Sequence, residues 1–162
     1  MVEETGRGSI DAMNVVIRPG VNDDVPELHR LAFDAYRQYV AAEGSEPAPM
    51  MADYGALVAQ GHAWVAEENN RVIGLLILEH AGDHLLLENI AVAADVRGLG
   101  VGRRLMSFAE ERARDLGLSE IRLYTGQVMT QNLHYYPRHG YRETHRGYED
   151  GHHRVYFSKL LS

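Results

Sequence analysis

The chain contains no cysteine. This absence excludes disulfide bonds and metal sites built on thiolates. No apolar run approaches the roughly 20 residues that a membrane-spanning helix needs. The first residues, MVEETGRGSIDAMN, also lack the basic and then apolar pattern of a signal peptide. We therefore expect a cytoplasmic protein with no membrane partner and with a polar, flexible tail over residues 1–12.

Three further absences concern binding motifs. The dinucleotide fingerprint G-x-G-x-x-G is missing, because Arg103 and Leu105 stand where its third glycine would be needed. The chain has no Gly-Lys pair, which excludes a P-loop. The nine histidines form no H-E-x-x-H pattern, so we expect no metal site. We interpret His152 and His153 as surface residues of a closing strand.

The charge is unevenly distributed in a chain of otherwise ordinary composition. The 162 residues are 45% hydrophobic, which is enough for one domain with a core, predicted over residues 13–162. The net charge of −7 divides into −11 over residues 1–96 and +4 over residues 97–162. This division indicates either two kinds of partner or two solvated faces. The basic residues are scattered, so no nucleic-acid partner is expected.

The hydrophobic periodicity predicts a mixed α/β sheet with the element order βααβββαβαββ. The predicted strands are MNVVIRPG (13–20), AWVAEE (63–68), RVIGLLILEH (71–80), HLLLENIAV (84–92), EIRLYT (120–125), YRETHRGYE (141–149) and HHRVYFSKLL (152–161). The predicted helices lie in NDDVPELHRLAFDAYRQYV (22–40), DYGALVAQG (53–61), RRLMSFAEERARDLG (103–117) and TQNLHYYPRHG (130–140). Residues 41–51 form a turn-rich connection, and the pair Asn69-Asn70 predicts a tight hairpin turn.

The stretch DVRGLGVGRRLM (95–106) places three glycines between a predicted strand and a predicted helix. Glycines allow several backbone N–H groups to point into one concavity, and the start of the helix adds partial positive charge. Arg97 and Arg103 can pair with phosphate oxygens. The stretch therefore predicts a pyrophosphate-binding loop, and the alternative is a glycine-rich turn with solvated arginines.

This stretch resembles the phosphate loop of the GCN5-related N-acetyltransferase (GNAT) family. The family pattern [Q/R]-x-x-G-x-[G/A] is met by Arg97, Gly100 and Gly102. A second match lies in MTQNLHYYPRHGYRE, where Asn132 and Tyr136 come before a glycine and an aromatic residue. The resemblance covers about residues 14–161. It implies a single-domain fold with a mixed, mostly antiparallel sheet and helices on both faces.

The resemblance implies direct transfer of an acetyl group from acetyl-coenzyme A to a primary amine. The lack of cysteine agrees with a mechanism that has no acyl-enzyme. The segment NIAV (89–92) resembles the family's pantetheine-binding strand, which is bulged and separated from its neighbour, with an N–H near Val92 as oxyanion donor. The positions that the resemblance assigns to the cofactor are Ile90, Ala91, Val92, Arg97, Gly98, Leu99, Gly100, Val101, Gly102, Arg103, Asn132 and Tyr136.

The same resemblance suggests two catalytic side chains. Tyr136 is the predicted general acid that protonates the departing thiolate, and the alternative is a tyrosine packed on the sheet. Asn132 lies one helical turn before Tyr136 and is expected to bond the cofactor arm or to cap the helix. Glu88 is the predicted base, because burial would raise the pKa of its carboxyl. An ion pair, an exposed strand end, a water or loss of the proton to solvent remain as alternatives.

The acceptor is expected to be a small cationic amine. The predicted first helices and their connection are acidic and would attract a cation. The acidic residues of this region are Asp23, Asp24, Glu27, Asp34, Glu43, Glu46 and Asp53. The aromatic residues Tyr36, Tyr39, Tyr54 and Trp64 line the site or belong to the core. A protein or peptide acetyltransferase, a non-catalytic coenzyme A-binding module, an unrelated phosphate-binding domain and a homodimer stay open.

Overall fold

Seven strands form one sheet in the computed structural model, which describes residues 10–162. The strands are β1 (Val15–Pro19), β2 (Ala63–Glu68), β3 (Arg71–Ala81), β4 (His84–Val92), β5 (Glu120–Gly126), β6 (Arg142–Glu149) and β7 (His152–Leu160). The helices are α1 (Val25–Tyr36), α2 (Val40–Glu43), α3 (Ala48–Met51), α4 (Tyr54–Ala59), α5 (Val101–Asp115) and α6 (Thr130–Arg138). The predicted α/β class and order of strands are confirmed.

Two regions differ in detail from the prediction. The connection over residues 41–51 contains most of α2 and all of α3, each one turn long: Gly44, with a left-handed backbone, ends α2, and α3 begins after Pro47 with Pro49 in its first turn. Of the tail predicted over residues 1–12, residues 1–9 lie outside the described part of the chain. Ile10–Ala12 form a 3-10 turn, and Ile10 packs against the hydrophobic core.

The sheet has the strand order β1-β2-β3-β4-β5-β7-β6. Neighbouring strands are antiparallel, except β4 and β5, which are parallel and are connected through α5. Asn69 and Asn70 join β2 to β3 with φ angles of 48° and 66°. These positive values are those of a type I′ turn, which confirms the predicted hairpin.

The centre of the sheet is covered on both faces. Residues 72–78 of β3 are buried without interruption, as expected for a strand with helices on either side. Both α1 and α5 pack on β3 and β4. Gly74 faces α5 closely, since a Cβ there would lie 3.1 Å from the side chain of Leu105. Because the same helices pack on both strands, the core holds β4 firmly against β3.

The strands β4 and β5 separate towards their carboxyl ends. Their pairing covers only Leu85–Leu87 with Ile121–Leu123. Beyond it, β4 continues beside β3 as far as Val92, whereas β5 continues beside β7 as far as Gly126. A bulge in β4 leaves Glu88 between two paired residues, which bends the strand at the point of separation. The bulged, separated strand expected from the resemblance is therefore present.

Candidate active site

A cleft of about 870 Å³, counting its open mouth, lies at the separated ends of β4 and β5. Its walls come from the end of α1 and the segment from α2 to α4, from β3, β4 and β5, from α6 and from the start of β7. Glu88, Asn132 and Tyr136 all line this cleft. The fold thus brings Glu88 of β4 to the same space as Asn132 and Tyr136, which lie one turn apart on α6.

Asn132 contributes a buried oxygen with no partner. Its Nδ2 donates to Thr125 Oγ1 at 2.9 Å. Its Oδ1 is buried and accepts no hydrogen bond from residues 10–162. The helix α6 has Met129 at its N-cap, so the expected alternative of Asn132 as a helix cap is wrong. Because an unsatisfied buried acceptor costs about 1–3 kcal/mol, this oxygen is suited to a donor that enters the cleft.

Tyr136 is held rigidly by aromatic neighbours. Its ring contacts Tyr135, Tyr141 and Phe157 with centroid separations of 5.5, 5.7 and 5.8 Å. Burial raises the pKa of Tyr136 well above its usual value, so the phenol keeps its proton until a strong base is close. The adjacent Tyr135 is also buried, but it does not line the cleft. Tyr136 can therefore be both a packed aromatic residue and a proton donor, so the two alternatives do not exclude each other.

Glu88 is half-buried at the bulge of β4. Burial, and then the neighbouring carboxyl of Glu79, raise the pKa of Glu88 to about 7. The charged neighbour that most affects the pKa of Glu88 is Glu79, which is itself acidic. This observation disagrees with the alternative that Glu88 forms an ion pair. A carboxyl group with a pKa near 7 can accept a proton at neutral pH and release it again.

A chain of buried hydrogen bonds fixes the middle of β4 against the helices. Tyr36 OH donates to Asn89 Oδ1 at 2.7 Å, and Asn89 Nδ2 donates to Tyr54 OH at 2.9 Å. Tyr54 OH in turn donates to the carbonyl of Pro49 at 2.6 Å. Tyr36 and Tyr54 thus both line the cleft and belong to the core, so the two roles considered for these aromatics coincide.

The end of β4 presents main-chain groups to the gap. The Ala93 N–H donates to Ile73 of β3 at 2.8 Å. Because N–H groups alternate in direction along a strand, the Val92 N–H points away from β3, as the predicted oxyanion donor requires. The Ile90 carbonyl accepts from Tyr36 OH at 3.2 Å. Arg97 Nε donates to the Val92 carbonyl at 3.1 Å, which ties the glycine loop to the strand.

The glycine loop leads directly into α5. Gly98 and Gly100 have φ angles of +82° and +99°, which L side chains rarely adopt, and Gly100 is the N-cap of the helix. Gly102 is buried in the first turn of α5, whereas Arg103 is exposed beside it. The loop with Leu99 and Val101 has the shape of an anion-binding helix start. Its role towards a cofactor stays a prediction.

His152 is a cleft residue that the sequence interpretation missed. Its Nδ1 lies 2.7 Å from Glu43 Oε2, and the two side chains are only 13% and 7% exposed. Both line the cleft. The interpretation of His152 as a surface residue is therefore wrong, while His153 is exposed as expected. Residue spacing could not reveal a pair 109 positions apart.

Most of the acidic residues expected to attract a cation are engaged elsewhere. Asp24 pairs with Arg18 at 2.8 Å, and Asp53 caps α4 by accepting from the Ala56 N–H at 3.0 Å. Of the seven, Glu43 alone lines the cleft. Trp64 packs against Phe108 of α5 and is not part of the cleft lining. The expected acidic face is thus reduced to the carboxyl groups of Glu43 and Glu88 inside the cleft.

The family model described as Acetyltransferase (GNAT) family matches residues 25–141. This span is most of the chain and includes the cleft strands, the glycine loop and α6. The chain belongs to the GNAT acetyltransferase family. The family predicted from Arg97, Gly100, Gly102, Asn132 and Tyr136 is thereby confirmed.

Individual relatives agree with this assignment. The chain is 32% identical over 84 residues to the probable N-acetyltransferase camello of Xenopus tropicalis, covering 50% of this chain and 38% of that protein. It is 30% identical over 91 residues to the aminoalkylphosphonate N-acetyltransferase of Salmonella typhimurium, covering 52% and 58%. The alignments thus span about two fifths to three fifths of these curated relatives.

A solved structure shows the same fold. The PaiA N-acetyltransferase of Thermoplasma acidophilum, determined in complex with coenzyme A, superposes with a TM-score of 0.77. The match covers 92% of this GNAT chain and all of that one, at 16% sequence identity. At this identity the similarity concerns the fold alone.

Among residues 10–162, no helix is long and apolar enough to cross a membrane. Within the same residues, no group of three or more histidine, aspartate or glutamate side chains is arranged to hold a metal ion.

Proposed function

We propose that this GNAT protein is an N-acetyltransferase that moves an acetyl group from acetyl-coenzyme A directly to a primary amine. The observation that carries the proposal is the cleft at the separated ends of β4 and β5. There the unpartnered Oδ1 of Asn132 and the half-buried carboxyl of Glu88 line one space. A cofactor arm between the strands would bring a thioester to that carboxyl.

The residues present fit coenzyme A. Asn132 Oδ1 can accept from an amide N–H of the pantetheine arm, which would satisfy the buried oxygen. The main-chain groups of Ile90 and Val92 face the same gap. The loop from Gly98 to Arg103 and the start of α5 suit the pyrophosphate. When bound, acetyl-coenzyme A supplies an activated acetyl group.

The chemistry then divides between two side chains and one main-chain group. Glu88, with its pKa near 7, accepts a proton from the attacking nitrogen. The Val92 N–H stabilises negative charge on the carbonyl oxygen. Tyr136 keeps its proton in the resting state and donates it to the departing thiolate. A thiolate otherwise leaves as a charged group in a partly buried site, which makes this donation valuable.

A small cationic acceptor is the substrate class we favour. Two carboxyl groups, Glu43 and Glu88, line the cleft together with the rings of Tyr36, Tyr54 and Tyr124. Carboxylates and aromatic faces both attract cations. The one arginine in the lining, Arg154, stacks on Tyr124 at 4.3 Å and lies 3.4 Å from Glu149, so its charge is partly balanced.

We also propose a cytoplasmic location and a homodimer. The strand β6 supports the second point, because all eight of its residues are exposed at the edge of the sheet. An open edge can pair with the same edge of another copy. Light scattering of the purified protein measures the assembly, and a monomer at all concentrations would remove the dimer.

The first test is thiol release from acetyl-coenzyme A with a panel of amines, polyamines, aminoglycosides, amino acids, aminoalkylphosphonates and short peptides. Tyr136→Phe is expected to lower kcat at least about tenfold, or ~1.4 kcal/mol of barrier. Tyr135→Phe is the matched control, since it removes a buried hydroxyl outside the cleft. An unchanged Tyr136→Phe variant would remove the residue from its role as acid.

The panel separates the other functions. Turnover of peptides alone would identify a protein or peptide acetyltransferase. Coenzyme A binding without turnover of any amine would identify a binding module. The unrelated phosphate-binding domain considered from the sequence is excluded by the match to the GNAT family, so the absence of a thermal shift with coenzyme A would count against the proposed function.

A further inference from the structure

A histidine and a carboxylate meet across the cleft. Glu43 belongs to α2, and His152 is the first residue of β7. Their side chains join the two segments that border the cleft on opposite sides. The pair is largely shielded from solvent, with 13% and 7% of the side chains exposed. Such a contact holds the imidazole ring in one orientation.

The pair also fixes the chemical state of the ring. A carboxylate oxygen 2.7 Å from Nδ1 accepts a hydrogen bond, so the proton of a neutral imidazole is held on Nδ1. Nε2, on the opposite edge of the ring, then carries the lone pair. The pair therefore has the arrangement of an oriented base.

The position of Glu43 depends on the residue beneath it. A Cβ on Gly126 would lie 2.6 Å from Glu43 Oε1, closer than such atoms approach in proteins. Glycine at this position therefore leaves room for the carboxylate at the end of β5. The Gly126 backbone has no positive φ, so the space above it is the feature that distinguishes glycine from alanine here.

The proposed reaction needs more than one proton acceptor. An ammonium acceptor loses two protons when it becomes an amide, while a C–N bond forms and the C–S bond breaks. The thiolate gains one proton, from Tyr136, and one proton leaves to solvent. Glu88 can hold only one proton at a time. A second proton acceptor in the lining of the cleft is therefore useful.

We propose that His152, oriented by Glu43, removes the first proton from the acceptor ammonium and passes it to solvent. This inference rests on the proposed function. Nε2 takes the proton and the amine nitrogen keeps the electron pair with which it attacks. Glu88 then takes the second proton, and this proton reprotonates the Tyr136 phenolate, so that all three side chains return to their resting states and the net reaction releases one proton to solvent. His152 is thus a proton acceptor, and Glu43 is its positioning residue.

Other charged groups surround the pair and bear on its pH dependence. Arg154 follows on the same strand, and it lies near Glu149 and Asp150 of the hairpin at 3.4 and 3.7 Å. Glu88 of β4 and Tyr124 of β5 also line the cleft, and its other titratable lining residues are Tyr36, Tyr54 and Tyr136. Glu43 is the group in hydrogen-bond contact with the ring.

The decisive experiment is the pH profile of kcat/KM for His152→Gln with the best acceptor from the panel. Glutamine can keep the contact with Glu43 but accepts no proton at neutral pH. We expect a loss of at least about tenfold at pH 7, as for general base catalysis. The loss should shrink to less than about threefold near pH 10, where a far larger fraction of the amine arrives uncharged than at pH 7. Rescue at high pH distinguishes proton removal from packing.

Two further variants test the positioning role. Glu43→Gln removes the charge, and Gly126→Ala displaces the carboxylate without changing either partner. Both should show a loss at pH 7 that high pH rescues. His153→Gln is the matched control, because that residue is exposed and lies next to His152 in the same strand. Nitrogen NMR of labelled histidine gives a readout besides activity, and it should show the Nδ1–H form of His152 in the wild type.

Each result bears on the inference. An unchanged His152→Gln profile overturns it, as does a loss of equal size at every pH, and the proposed function stands in both cases. The Nε2–H form of His152 in the NMR spectrum also overturns it. If the wild type acetylates no amine of the panel, the proposed function fails and the inference fails with it. Coenzyme A binding and melting temperature confirm that each variant is folded.

Discussion

At the scale of single residues, the site contains polar side chains whose immediate surroundings do not stabilise them. Glu88 is a carboxyl group placed beside a second carboxyl, Glu79, in a half-buried position. Asn132 has an acceptor with nothing to accept from in the described chain. Such arrangements cost folding free energy and are typical of functional sites. The cost can be measured for Glu88.

We predict that Glu88→Gln raises the melting temperature at pH 8.5 and changes it little at pH 4. The pKa of Glu88 is raised from 4.5 to about 7 in the folded state. Between these values the folded protein binds more protons than the unfolded one, so stability falls as pH rises through this window. Glutamine, always neutral, escapes this loss.

The same substitution is expected to weaken the rise of kcat/KM that we expect of the wild type through pH 7, because the glutamine cannot accept the second proton. Thermal unfolding and kinetics at matched pH provide the measurements. A melting temperature that changes equally at both pH values would show that the carboxyl titrates normally.

At the scale of elements, the helix α5 has a glycine with positive φ at each end. Gly100 precedes it with φ of +99°, and Gly117 follows it with φ of +74°. Replacing either by alanine puts a Cβ into a strained backbone, at a cost of about 1–2 kcal/mol. Only the first lies in the proposed phosphate loop.

We therefore predict that Gly100→Ala and Gly117→Ala lower the melting temperature by similar amounts. Gly100→Ala alone should weaken coenzyme A binding, by several-fold, since a strained loop no longer directs its N–H groups at one point. Isothermal titration with coenzyme A measures the effect. Equal affinities of the two variants would argue against the loop as the phosphate site.

The sequence predicts these elements well because each has a strong local signal. The period of β4, the Asn69-Asn70 turn and the glycine loop all appear within a few residues. The one-turn helices α2 and α3 have no periodicity to detect. The pairing of Glu43 with His152, and of Glu79 with Glu88, arises from the tertiary fold, where strand register decides which side chains meet. The spacing of residues in the sequence does not reveal these contacts.

At the scale of the whole molecule, the gap between β4 and β5 divides the chain where its charge changes sign. The strands β1–β4 come from residues 1–96, with a net charge of −11, and β5–β7 come from residues 97–162, with +4. The strands on the two sides of the gap therefore come from an acidic and a basic part of the sequence, although α5 of the basic part packs on β3 and β4. An anionic cofactor and a cationic acceptor would each meet an attractive side.

We predict that raising KCl from about 50 to 500 mM raises KM several-fold for both acetyl-coenzyme A and a cationic acceptor, because salt screens the field of each half. A neutral amine should show little change in its KM and serves as the control. Steady-state kinetics at constant pH measure all three. A salt-independent KM for the cationic acceptor would count against attraction by the acidic half.

The brief parallel pairing between the halves has a consequence for the lifetime of the protein. Only Leu85–Leu87 and Ile121–Leu123 join the two parts of the sheet directly. A ligand that fills the gap beyond these residues would contact both parts of the sheet and hold them together. A ligand present at 100 times its Kd adds about 2.7 kcal/mol to the free energy of unfolding. If the gap holds acetyl-coenzyme A, the resistance of the folded chain to proteolysis rises and falls with the supply of its own substrate.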